Sequence, residues 1–156
     1  MSERKYFELA KSKLFPINRS LTGRGVRKTL KIIKNEFPSL NIKKIRSGKK
    51  VFDWKIPAEW NIHNAYILDK KKNKIIDYKK NNLHIVGYSK PINKYLKKRE
   101  LLKKLYSLKN QKNAIPYITS YYKKDWGFCI KHAQKKKIEK FYKSQDLFKV
   151  LINTNF

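Results

Sequence analysis

The hydrophobic period changes once along this chain, and that change limits what it can fold into. Before about Asn41 the apolar residues follow a helical spacing; after the Ser47-Gly48 turn they alternate as in strands. Val26, Leu30, Ile33 and Phe37 fall at i, i+4, i+7 and i+11, one face of a helix. Phe37-Pro38 ends that helix, because the residue before a proline is pushed out of the α region. Ser20 or Thr22 offers its N-cap. A shorter amphipathic stretch over Tyr6, Leu9, Ala10 and Leu14 precedes it and stops at Pro16.

Beyond Asn41 the spacing predicts a strand over Val51–Ile56, closed by Pro57. A hairpin follows, Asn64–Asp69 and Lys74–Tyr78, across the polar Lys70–Asn73 loop. Leu83–Ser89 reads as a strand stopped near Pro91, and Lys97–Tyr106 as a helix with Leu101, Leu102 and Leu105 as its stripe. Tyr117–Tyr121 and Gly127–Ile130 read as short strands, His132–Tyr142 as a basic helix, and Val150–Ile152 as a strand just beginning. The predicted class is α+β: an N-terminal helical hairpin, then a mainly antiparallel β domain with one or two helices.

Of 156 residues, 40% are hydrophobic and 13% aromatic. That is enough for one compact core or a small pair of domains. Charges interrupt every apolar run well before the roughly 20 residues a membrane span needs. The first fifteen residues carry charge throughout and lack the apolar centre of a secretory signal, so the expected location is cytoplasmic.

The formal charge of +29 invites a nucleic-acid reading, since clustered cations release counterions from a phosphate polymer. Yet of 40 Lys plus Arg only six are Arg, the residue that forks phosphates and guanine edges. The lysines are spread in short runs over apparent turns and polar faces. With abundant Asn and Ile they fit a background composition, and weak non-specific polyanion binding is the expected consequence. A small basic nucleic-acid-binding module is the alternative this charge keeps open.

No catalytic constellation emerges from residue types and spacing. Gly23-Arg24-Gly25 lacks the preceding strand and third glycine of a phosphate loop and reads as a helix entry. Arg19, beside that entry, suits a salt bridge or a carbonyl clamp. His63, His84 and His132 are too dispersed for a metal motif, and His84 sits in an apolar stretch as a core histidine would. Cys129, the single cysteine, lies between Phe128 and Ile130 and reads as a buried, inert thiol. The aromatics Trp54, Trp60, Tyr88, Tyr117, Tyr121, Tyr122, Trp126 and Phe128 could stack on bases or sugars, although packing is their commoner use.

Longer phrases carry more. They are Leu14–Gly23 (LFPINRSLTG), Val51–Trp54 with Pro57–Ile62 (VFDW, PAEWNI), Asn82–Ser89 (NLHIVGYS), Ile115–Tyr122 (IPYITSYY) and Trp126–Cys129 (WGFC). In this order they resemble the N-terminal part of bacterial aminopeptidase-like proteins of polysaccharide-biosynthesis loci, a zinc-exopeptidase-related family. The resemblance implies a zinc-exopeptidase α/β domain interrupted by a β-rich domain of unknown function. Residues 1–44 would be the helical start of the former, 45–134 the inserted domain, and 135–156 a truncated return segment.

The same resemblance implies two zinc ions in the intact family, bound by ligands that follow the region present here. Hence no catalytic residue, no metal ligand and no cofactor are expected in this chain, and no activity from it alone. Arg19, His84, Tyr121, Tyr122 and Trp126 are the residues expected to face a substrate cleft. Arg19 would meet a carboxylate there, and Trp126 would form an apolar wall. Expected partners are a peptide substrate, the remainder of a peptidase domain, or a second copy of the chain. A carbohydrate or assembly module in polysaccharide synthesis is a further reading from the same context.

Overall fold

A computed structural model describes residues 3–156. Met1 and Ser2, which open the expected helical segment 1–44, lie outside the described residues. The chain forms two compact units, one running to Asn61 and including Phe156, the other from Ile62 to Asn155.

In the first unit, α1 (Glu3–Leu9) runs into a π-helical turn (Ala10–Leu14), and α2 covers Arg24–Glu36. The Tyr6 and Phe37 rings stack at 5.5 Å, and Lys5 pairs with Glu36 at 2.8 Å. Neither Ser20 nor Thr22 caps α2. Gly23 is the N-cap residue, at φ 103° where a side chain would be strained. The Arg24 amide is capped from outside the helix by Asn61 Oδ1 at 3.0 Å.

The expected single strand Val51–Ile56 is instead a tight hairpin, β1 (Lys50–Val51) against β2 (Trp54–Lys55). Phe52 makes the reversal at φ 54°, without the glycine or asparagine that normally announces such a turn. This unit buries little of its apolar content. Trp60 is its one large buried hydrophobic among the described residues, while Phe7, Phe15, Leu21, Phe37, Ile45, Phe52 and Trp54 are exposed.

The second unit holds the core. Its four-stranded sheet has the order β4-β3-β8-β5, built from β3 (Asn61–Leu68), β4 (Lys74–Asp77), β5 (Ile92–Lys97) and β8 (Leu147–Asn155). The hairpin β3–β4 matches the sequence reading. Asp69 fixes its loop by accepting the amides of Lys71 and Asn73, both at 2.9 Å, and the Tyr142 hydroxyl at 3.1 Å.

Alternate residues of β8, Phe148, Val150, Ile152 and Thr154, are buried, as a strand with one core face requires. Ala65, Ile67, Ile76 and Leu96 of the other strands are buried with them, as are Leu101 of α3 (Lys98–Leu102) and Ile138 of α4 (His132–Phe141). Lys98 Nζ donates to the carbonyls of Glu139, at 3.1 Å, and Tyr142, placing a cation on the C-terminal end of α4.

Several elements differ from the spacing-based expectation. Lys97–Tyr106 is helical only over Lys98–Leu102; the chain then enters β6 (Leu105–Tyr106), parallel to β7 (Phe128–Cys129). The strand expected to be just beginning at Val150 spans nine residues and pairs with β5 from Ile92↔Ile152 to Lys97↔Leu147. Leu83–Ser89 is a 3-10 turn (Asn82–His84) followed by isolated bridges, Ile85 to Phe128 and Gly87 to Thr119. Tyr88, at φ 62°, breaks any strand there. Tyr117–Tyr121 is likewise not a strand beyond that one bridge.

Candidate functional site

The five residues singled out from the sequence fall into three settings. Arg19 belongs to the first unit, where its Nη1 donates to the Leu14 carbonyl at 3.1 Å across the bend before α2. His84 and Trp126 are buried in the second unit, at 7% and 6% exposure. Tyr121 and Tyr122 are brought together near its surface, with ring centroids 4.6 Å apart and planes at 84°.

His84 follows from its neighbours. The Asn81 side chain accepts the Leu83 amide and starts the 3-10 turn that turns the imidazole inward. Nδ1 lies 2.8 Å from the Cys129 carbonyl, so Nδ1 carries the proton and donates. Burial lowers the His84 pKa below its ordinary value, partly opposed by that bond and by Asp77, with Lys131 lowering it further. The unfolded chain therefore takes up a proton more readily than the folded one. Stability should be full above pH about 6.5 and should fall as pH drops toward the depressed folded value. A denaturant titration against pH should show this slope, and His84→Asn, which keeps an N–H near the Nδ1 position, should flatten it.

Trp126 is bracketed by two cations, Lys94 at 5.8 Å and Lys104 at 5.6 Å from the ring centroid. Lys104 also pairs with Asp125. Cys129 is fully buried, and burial pushes its thiol up to about 12, against a weaker opposing bond with the Ile118 backbone. It is a poor nucleophile and a poor metal ligand in that state.

Among the described residues no three His, Cys, Asp or Glu side chains stand together in a way that could hold a metal ion. His63 is hydrogen-bonded to Asn155 at 3.2 Å and His132 to Ser107 at 3.0 Å, each apart from His84. These residues do not fit the zinc pair that the family resemblance implies.

The tyrosines form a more organised arrangement. Tyr88 meets Tyr121 edge to face at 4.9 Å and 88°, and Tyr121 meets Tyr122 in the same manner. Burial, then the adjacent Tyr88 and Tyr122, raise the Tyr121 phenol above its ordinary range, so it stays a neutral hydroxyl. Sequence reasoning counted Tyr88 among the aromatics and missed its backbone conformation. Tyrosine at φ 62° carries no sequence signal, because turn positions of that kind are recognised by Gly or Asn.

Residues 59–155 match the family model described as a domain of unknown function, DUF2172, and the chain belongs to that family. The match nearly coincides with the second compact unit. Over 117 residues the chain is 51% identical to a Clostridium acetobutylicum protein provisionally named a polysaccharide biosynthesis protein with an aminopeptidase-like domain. That alignment takes in 75% of this chain and 27% of the relative.

The crystal structure of a provisionally named peptidase from Clostridium acetobutylicum matches with a TM-score of 0.84 and 40% identity, over 98% of this chain and 37% of that one. The expected resemblance to aminopeptidase-like proteins and the mixed α and β class are thus found. The chain spans well under half the length of either protein. No helix among the described residues is long and apolar enough to cross a membrane.

Proposed function

We propose that this chain is a non-catalytic portion of an aminopeptidase-like protein. In that reading the 62–155 unit is an accessory module that limits what reaches the peptidase centre, and the first unit is part of the surface on which the peptidase domain seats. The observation that supports it most directly is the asymmetry of coverage: nearly all of this chain aligns with a peptidase-like structure, yet it accounts for only 37% of that structure.

The exposed Phe7, Phe15, Leu21, Phe37, Ile45, Phe52 and Trp54 agree with it, because a unit of this size normally hides such residues. The test is hydrolysis of aminoacyl p-nitroanilides by this chain with added zinc, beside the Clostridium acetobutylicum relative. The relative should turn over while this chain stays at the buffer rate and retains no zinc after desalting. Hydrolysis by this chain that rises with retained zinc would overturn the proposal.

A further inference from the structure

Tyr88 is a bulky residue held in the left-handed region at φ 62°, a conformation that persists only where the surroundings enforce it. The enforcement is a buried hydrogen-bond set on both sides of the residue. Ser89 Oγ donates to the Val86 carbonyl at 2.6 Å and accepts the Gly127 amide at 3.2 Å. Thr154 Oγ1 donates to the Ser89 carbonyl at 2.9 Å. The Gly87 carbonyl accepts the Ser120 amide at 2.8 Å and the Ser120 hydroxyl at 3.2 Å.

This set fixes the Tyr88 ring against Tyr121 and, through it, Tyr122. The result is costly as packing alone, because the last ring of the series is 87% exposed. Tyr117, earlier in the same loop, is 63% exposed. Lys123 and Lys124 follow directly and are exposed. Asp125, the next acid, is already engaged by Lys104.

We propose that Tyr121 and Tyr122, braced by Tyr88 and flanked by Lys123 and Lys124, form a stacking platform for an acidic saccharide chain. A sugar ring offers a patch of C–H groups to an aromatic face while its rim hydroxyls and carboxylates reach outward to cations and water. The ring planes of the three tyrosines turn by 88° and then 84°. Rings set perpendicular to one another present separate faces rather than one continuous stack for a run of parallel bases. Residues 100–156 also contain no arginine to fork a phosphate. This site goes beyond the peptidase reading and does not depend on it.

The test uses the whole chain and oligogalacturonate, a uronic-acid chain, with poly(dT) as the competing polyanion. Binding is measured by calorimetry at about 0.3 M salt, where charges more than about 6 Å apart are largely screened. Oligogalacturonate should still bind, Tyr122→Ala should weaken it about tenfold, and Tyr122→Phe should retain it. Tyr122 is too exposed for either change to unfold the chain. Equal binding by wild type and Tyr122→Ala would reduce the site to charge alone and overturn the proposal. So would no binding at that salt, or a Tyr122-dependent preference for poly(dT), which would make the platform one for nucleic acid.

Discussion

Phe148→Ala should destabilise the 62–155 unit by about 3–5 kcal/mol, a large share of the roughly 5–15 kcal/mol that holds a domain of ordinary stability. Phe148 is fully buried in β8, a strand that lies between β3 and β5 in the sheet. Its backbone pairs with Leu96, and its ring meets Tyr142 at 5.0 Å and 63°. Truncation removes the transfer energy of a phenyl group and leaves a cavity. Collapse into that cavity is opposed on the α4 side by Lys98, which ties the helix end through the Glu139 and Tyr142 carbonyls. At about 4–8 °C per kcal/mol for a unit of this length, the midpoint should drop by more than 12 °C. Urea unfolding followed by far-ultraviolet circular dichroism checks the value. A loss below about 1 kcal/mol would mean that the core is not organised around β8.

The parts of this fold legible in the sequence were those whose evidence is local. The apolar stripe of α2 and the strand–loop–strand pattern around Asp69 each lie within one short window, and both elements form where expected. The edge strand β5 was not legible. Its sequence, INKYLK, does not alternate cleanly, and it is a strand because β8, far away in sequence, supplies its partner. The same remote pairing turned a strand expected to be just beginning at Val150 into a nine-residue member of the sheet. Phe52 and Tyr88 defeated the reading for another reason. Both sit at positive φ without the residue types that signal it, so continuous apolar runs concealed two chain reversals.

The candidate site shows the same division. The inward placement of His84 and Cys129 could be inferred from apolar neighbours. That Tyr88 braces Tyr121 could not, because it requires the Gly87–Thr119 bridge to bring two distant loops together. Nor did the sequence indicate that Trp126 would lie between Lys94 and Lys104, since each comes from a different element.

Gly25→Ala is the second substitution with a large expected effect, and its sign is opposite to what helix propensity suggests. Gly25 lies in the first turn of α2, where replacing glycine by alanine ordinarily gains up to about 1 kcal/mol. Here a β-carbon at position 25 would stand 1.8 Å from the Asn18 carbonyl oxygen and 2.9 Å from its carbon. Those are backbone atoms, so relief requires moving the 15–23 bend rather than rotating a side chain. The bend is itself held, because Arg19 clamps the Leu14 carbonyl and Asn61 caps the Arg24 amide. Overpacking of this kind costs about 1–3 kcal/mol and sometimes more, which outweighs the propensity gain. The second glycine of Gly23-Arg24-Gly25 therefore serves a close backbone approach, and an anion loop is not needed to explain it. Amide exchange should show the first turn of α2 losing protection in Gly25→Ala, together with faster proteolytic cleavage between Phe15 and Leu21. Unchanged or increased protection would mean that the carbonyl of Asn18 does not approach the helix as described.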